Sequence, residues 1–215
     1  MAGELLAPVL SRYLDELVPP RPTEMVGMEA HAREARFPIV GPAAGQFCYL
    51  LARMTGARRV FELGSGYGYS TAWFARAVKE NGGGKVFHVV WDEGLSRRAR
   101  RHLRALDLDD VVAYRVGEAV QILRETAGVF DLIFNDIDKP AYPASFSVIA
   151  EKLRPGGVLI VDNMLWHGRI FDRTDRTAAT EGVRELTRLL TTDPTWQTSL
   201  VPIRDGLLIA FRQPR

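Results

Sequence analysis

Carboxylates crowd two short stretches of this chain, Asn135-Asp136-Ile137-Asp138-Lys139 and Val161-Asp162-Asn163-Met164-Leu165-Trp166, each at the end of an apolar run. Together they hold three carboxylates, two amides and a lysine. Such a concentration is unfavourable unless the groups pair or bind a cation. Asp136, Asp162 and Asn163 offer only oxygen donors, and neither stretch contains a histidine or a thiolate. Hard oxygen ligands suit Mg2+, with Mn2+ or Ca2+ as substitutes. Three protein oxygens leave about three positions of an octahedral ion open to substrate oxygens. A helix cap or a turn residue is the plainer reading of each acid alone; taken jointly at neighbouring strand ends, they read as a metal site. Lys139 has two readings, a surface lysine paired with Asp138 or a general base beside the cation.

A further acid, Glu62, closes another apolar run in Val60-Phe61-Glu62-Leu63-Gly64-Ser65-Gly66-Tyr67-Gly68-Tyr69-Ser70, after which Thr71 to Ala77 reads as a helix. A strand, a tight glycine turn and a helix N-terminus bring a nucleotide-like ligand against backbone amides. The glycines fall as G-x-G-x-G, with Tyr69 at the sixth position, where a dinucleotide fingerprint has its third glycine. The spacing points away from a pyrophosphate and toward S-adenosylmethionine.

The elements that must position these groups alternate in type. Apolar runs at 59–63, 85–91, 111–115, 130–136 and 157–162 read as parallel strands buried on both faces, with amphipathic helices between them. Runs at 196–202 and 206–212, separated by a short turn around Arg204-Asp205-Gly206, read as an antiparallel hairpin. The expected fold is α/β, a doubly wound, mostly parallel seven-stranded sheet with an antiparallel C-terminal hairpin. N-terminal helices precede it: one over 3–18, carrying Leu5, Leu6, Val9, Leu10, Tyr13, Leu14 and Leu17 and stopped by Pro19-Pro20, and one from Thr23, as N-cap, to Arg36. A loop over 37–42 and a helix over 43–54 follow. Residues 1–40 read as a helical cap or dimer surface on a single domain spanning 1–215. The arginines of 97–104 wrap the outside of a helix whose inner face is Leu95, Ala99, Leu103 and Leu106, without the interleaved aromatics of an RNA-binding element.

With 47% apolar and 25% charged residues among 215, the chain is neither disordered nor of a membrane class, and a net charge of +2 is too small to imply nucleic acid. Cys48 is the only cysteine, which excludes an intrachain disulfide. No apolar run reaches the roughly 20 residues that span a bilayer, and no signal peptide is recognisable. A cytoplasmic protein is expected.

The E-L-G-S-G-Y-G-Y-S loop, the D-x-D-K motif, R-P-G-G before a strand and V-D-N-x-L-W-x-G, in this order, resemble the metal-dependent O-methyltransferases related to catechol and caffeoyl-CoA O-methyltransferase. The resemblance runs from Ile39-Val40-Gly41-Pro42 to the 202–206 turn. It implies that Asp136, Asp162 and Asn163 hold the metal and that Lys139 is the base. It also implies that Glu62, Gly64, Gly66 and Ser70 surround the methionine end of the cofactor, that Asp136 borders it, and that Gly117, Glu118 and Ala119 lie near the adenine. The reaction implied is Mg2+-dependent methyl transfer from S-adenosylmethionine to a hydroxyl of a small catechol-like substrate, by a homodimer. Two positions depart from the pattern. Val90 stands where the family carries a ribose-binding glutamate, which makes Asp92 a candidate substitute, while Trp91 has two readings, a stack on the adenine or an ordinary core residue; Ala44 replaces an acid before Gly45-Gln46. Trp166 and His167 fall on a loop that is a candidate border of the acceptor site, and His167 reads equally as a surface or loop residue. An NAD-dependent oxidoreductase would explain the glycine loop but not the acid cluster, and an RNA or protein methyltransferase would be expected to add a basic groove or a recognition domain.

Overall fold

The computed structural model describes residues 8–214. Five strands, β1 (Arg59–Leu63), β2 (Lys85–Val90), β3 (Val112–Val116), β4 (Phe130–Asn135) and β5 (Leu153–Val161), run parallel. With β6 (Trp196–Val201) and β7 (Leu207–Arg212) they form one sheet in the order β3-β2-β1-β4-β5-β7-β6. The expected hairpin is present, and its second strand is the inner one: β7 lies antiparallel between β5 and β6. The chain winds outward from β1 in one direction and from β4 in the other. The crevice at the carboxyl ends of β1 and β4 is therefore the topological switch point, where α/β sheets bind ligands.

Alternation along the strands sorts two cores. Val60, Val86, Leu132, Phe134 and Ile160 face α2 (Thr23–Ala35), α3 (Gly41–Met54) and α4 (Tyr69–Glu80). Phe61, Leu63, Val89, Ile133, Leu159 and Val161 face α6 (Ala119–Glu125), α7 (Tyr142–Lys152) and α8 (Ala178–Thr192). Burying such side chains stabilises the fold by roughly 1.5–3 kcal/mol each. On α5 (Glu93–Ala105) Ser96, Ala99 and Leu103 are buried, so the arginine-rich face is the outer one, as its periodicity predicts.

Several boundaries differ from the sequence reading, each for a local reason. α2 begins at Thr23 itself, with Pro22 in the capping position and no side-chain cap bond, so Thr23 is not the N-cap. α3 starts at Gly41 because Pro42 fits the first turn of a helix, and Asp15, from α1 (Pro8–Glu16), accepts the Ala43 amide at 3.1 Å. β5 begins at Leu153 and carries Arg154-Pro155-Gly156-Gly157 inside it, where the pairing with β4 shifts register between Phe130 and Leu132. β3 starts at Val112 because residues 109–111 form a 3-10 turn. Of the helix expected over 3–18, residues 3–7 lie outside the described part.

Helix α3 meets α4 at Gly45, where an added Cβ would come within 2.2 Å of the Trp73 indole nitrogen, and Trp73 is 1% exposed. Neither a buried indole nor a helix backbone yields easily. Gly45→Ala is expected to destabilise the protein by about 1–3 kcal/mol in urea unfolding, whereas a change near zero would mean that the contact is loose.

Candidate active site

The register of the sheet builds the site. Leu63 of β1 pairs with Asn135 of β4, and Asn135 with Val161 of β5. The residues that follow, Gly64, Asp136 and Asp162, therefore leave the sheet side by side. Two backbone bonds hold them there, the Asp136 amide on the Leu63 carbonyl at 2.8 Å and the Asp162 amide on the Asn135 carbonyl at 3.1 Å.

Asp162 is buried, and burial first, then the like charge of Asp136, pushes its carboxyl up to about 7. Burial also raises Asp136, against the opposing charges of Lys139 and Arg204. Lys139 starts a 3-10 turn (Lys139–Ala141) and is 7% exposed. Its Nζ donates to Asp136 Oδ1 at 2.8 Å and to the Ile137 carbonyl at 3.1 Å, and lies 4.9 Å and 5.9 Å from the Tyr142 and Trp166 ring centroids. Of the two readings of Lys139, the surface pair with Asp138 is therefore not the one adopted: its partner is Asp136, inside the site. The turn is fixed from behind, since a Cβ at Gly182 of α8 would meet the Lys139 carbonyl oxygen at 2.1 Å.

Asn163 takes a left-handed backbone (φ 57), and its amide N–H donates to Asp162 Oδ1 at 2.7 Å. Asp136 Oδ2, Asp162 Oδ2 and the Asn163 side chain have no hydrogen-bond partner among the described residues. Two carboxylates and an amide, all oxygen and incompletely partnered, suit a hard divalent cation. No group of three histidines, cysteines or acids that could hold a metal ion occurs among the described residues.

Glu62 shares the Val60 face of β1 and points under the N-terminus of α4. Thr71 Oγ1 donates to its Oε2 at 2.5 Å and lies 3.0 Å from His88 Nδ1 on β2. Burial pushes the Glu62 carboxyl up to about 7, opposed by the hydroxyls of Ser70, Thr71 and Ser65, and pushes His88 down to about 3, leaving a neutral imidazole. Glu62 Oε1 and His88 Nε2 have no partner in hydrogen-bonding geometry.

The glycine loop is tight at Gly64, where φ is +88 and a Cβ would lie 2.5 Å from the Asp136 carbonyl oxygen. Two pockets meet at Gly64 and Asp136. One is lined by Gly66, Tyr69 and Ser70; the other, of about 120 Å3, by Val90, Trp91, Gly117 and Ala119. They form one cleft running from the acids to the ends of β2 and β3. Asp92 and Glu118, each next in the chain to a lining residue, line neither pocket and cap helices. Asp92 Oδ1 caps α5 through the Leu95 amide at 2.7 Å, leaving Oδ2 available, and both Glu118 oxygens cap α6. His167 is exposed, its amide bound to Asp205 Oδ1 at 2.6 Å.

A family model described as O-methyltransferase matches residues 23–213. The chain belongs to the O-methyltransferase family. It is similar to a protein named catechol O-methyltransferase from Niastella koreensis, 32% identical over 187 residues that cover 84% of each chain. Among solved structures it resembles the O-methyltransferase TomG from Streptomyces achromogenes, in complex with SAM, with a TM-score of 0.85, 27% identity and 96% of each chain covered. It also resembles an O-methyltransferase from Bacillus cereus in complex with SAH, with a TM-score of 0.85, 30% identity, and 95% of this chain and 97% of the other covered. Membership replaces the oxidoreductase alternative. Within this O-methyltransferase fold, sequence reasoning missed Thr71 and His88, which interrupt apolar faces and were legible in principle. It also missed Tyr142, whose hydroxyl braces the Asp162 carbonyl at 2.7 Å, and Arg204, whose bond to the Ile39 carbonyl has no sequence signal.

Because folded Glu62 keeps a proton that the unfolded chain releases near pH 4, its contribution to stability is complete below that pH and lost as pH rises through about 7. Thermal unfolding of the chelator-treated, ligand-free protein should show stability falling between pH 5 and 8. In Glu62→Gln roughly 3 kcal/mol of that dependence should disappear; an unaltered slope would contradict the assignment.

Proposed function

We propose that this O-methyltransferase moves the methyl group of S-adenosylmethionine to one hydroxyl of a small aromatic vicinal diol, with Mg2+, or Mn2+ or Ca2+ in its place, held by Asp136, Asp162 and Asn163. One observation carries the reading: the register that sets the glycine loop beside two carboxylates with unpartnered oxygens. The similarity to a protein named catechol O-methyltransferase supports the diol, and the SAM and SAH complexes of the structural neighbours support the cofactor. When bound, the cation favours the anion of a coordinated hydroxyl.

The residues divide the remaining work. Gly64, Gly66 and Ser70 line the methionine end, and Glu62 Oε1 is an acceptor for its ammonium. Trp91, 68% exposed, offers a free face to the adenine beside Gly117, Glu118 and Ala119. Val90 cannot accept a hydrogen bond, so Asp92 Oδ2 takes the ribose hydroxyls. Lys139, as a neutral amine, takes the hydroxyl proton, and the ammonium so formed rests on Asp136 Oδ1, the Ile137 carbonyl and two aromatic faces. The groups are held in place before the reaction, so the transfer is driven mainly by positioning. In this reading the chain acts as one domain in a cytoplasmic homodimer, with the exposed Val9, Tyr13 and Leu17 as the natural contact. No described helix is long and apolar enough to cross a membrane.

Incubation with labelled S-adenosylmethionine and a panel of catechols should give transfer that EDTA abolishes and Mg2+ restores. Asp162→Ala should abolish it, and Lys139→Met should lower kcat by about 10²–10⁴. Transfer indifferent to EDTA would overturn the metal mechanism. Calorimetry should show S-adenosylmethionine binding about tenfold weaker in Asp92→Ala, in addition to about 1 kcal/mol of stability lost with the helix cap; unchanged affinity would remove Asp92 from the ribose site.

A further inference from the structure

Beside the methionine-end pocket lies a second cleft, of about 430 Å3, that shares with it the wall formed by Phe37, Pro38 and Ile39. Three arginines, Arg21, Arg33 and Arg204, and two carboxylates, Asp15 and Glu29, line this cleft. The carboxylates are already engaged. Glu29 accepts from Arg21 at 2.7 and 3.2 Å and from the Tyr69 hydroxyl at 2.8 Å, and Asp15 accepts from the Ala43 amide. Two of the arginines are not matched in the same way: Arg33 forms no ion pair among the described residues, and Arg204 donates from Nη1 to the carbonyl of Ile39, a neutral acceptor. A guanidinium carries five N–H donors, so most of those on Arg204 are left over.

The position of Arg204 is imposed. It sits in the β6–β7 turn with φ 53, a conformation few non-glycine residues adopt. The next two residues in the turn, Asp205 and Gly206, accept the backbone amides of Leu165 and Met164, which tie the turn to the segment that follows Asp162 and Asn163. The Arg204 guanidinium is thereby held against Gly41 and the 37–39 wall, in a cleft that shares this wall with the pocket Asp136 lines. An acceptor whose hydroxyls lie at the acids would extend into the cleft past this cation.

We propose that Arg204 determines acceptor specificity by receiving an anionic substituent, of the carboxylate class, carried on the aromatic diol. Guanidinium matches a carboxylate with parallel, charge-assisted hydrogen bonds, which a neutral ester cannot return. The inference rests on the diol-methylation reading above.

The test compares kcat/KM for 3,4-dihydroxybenzoate and for its neutral methyl ester at neutral pH, with saturating S-adenosylmethionine and Mg2+. The native protein should favour the acid about tenfold, mainly through KM. The acid-to-ester ratio should fall about tenfold in Arg204→Met and recover in part in Arg204→Lys. Because the ratio is compared between variants, the intrinsic reactivities of the two diols cancel. A ratio unchanged in Arg204→Met overturns the proposal although both diols are methylated. If that variant does not fold, a native preference for the ester overturns it. Absence of transfer to these diols and to unsubstituted catechol overturns the diol reading itself, and the assignment of Arg204 with it.

Discussion

Two carboxylates at neighbouring strand ends, one buried and one half-buried, repel each other, and this repulsion bears on everything around them. Asp136 and Asp162 cannot move apart, because their amides are bound into the last rungs of the β1–β4 and β4–β5 ladders. Relief has to come from added positive charge or from protonation. Lys139 supplies part of it at 2.8 Å and Arg204 contributes from the β6–β7 turn, yet Asp162 still titrates near 7. In the proposed reaction, a divalent cation between the two acids would supply the charge that is still missing.

The surrounding scaffold keeps the acids from relaxing. Tyr142 bonds the Asp162 carbonyl, and the Ser145 hydroxyl donates to the Tyr142 carbonyl and accepts from Asn135, whose neighbour in the chain is Asp136. Gly182 lets α8 approach the Lys139 turn, and Gly64 lets the cofactor loop approach the Asp136 backbone. In both places a methyl group would collide with a carbonyl. On the other side of the sheet, Glu62, Thr71 and His88 form a buried polar chain inside an otherwise apolar core. Two of its atoms lack partners, and buried groups of this kind are expected at binding sites and not in plain cores.

Much of this was legible in the residue order. Uninterrupted apolar runs announced parallel strands, the turn at 202–206 announced the hairpin, and the paired stretches ending in Asp136 and Asp162 announced a shared site. Boundaries were less legible where the backbone answered to a neighbour. β5 extends back through a proline and two glycines because its first residues pair across a register shift, and no periodicity encodes that shift. Asp92 and Glu118 were legible as candidate cofactor acids but not as helix caps, since the same side chain serves either purpose and only the start of the following helix shows the cap.

The sequence by itself determined the kinds of chemistry available: oxygen ligands without sulfur, a lysine three residues from an acid, a glycine loop of the S-adenosylmethionine type, and the order of elements that carries them. Residue types and short spacings are local properties, and local properties survive in one dimension. Only the tertiary structure decided which charges face one another. It brought Lys139 to Asp136 and not to Asp138, joined Glu62 to His88 through Thr71, and placed Arg204 on the carbonyl of Ile39, far away in the chain. Those pairings depend on strand register, helix packing and the conformation of one turn, quantities set by the whole fold and written in no single stretch of it.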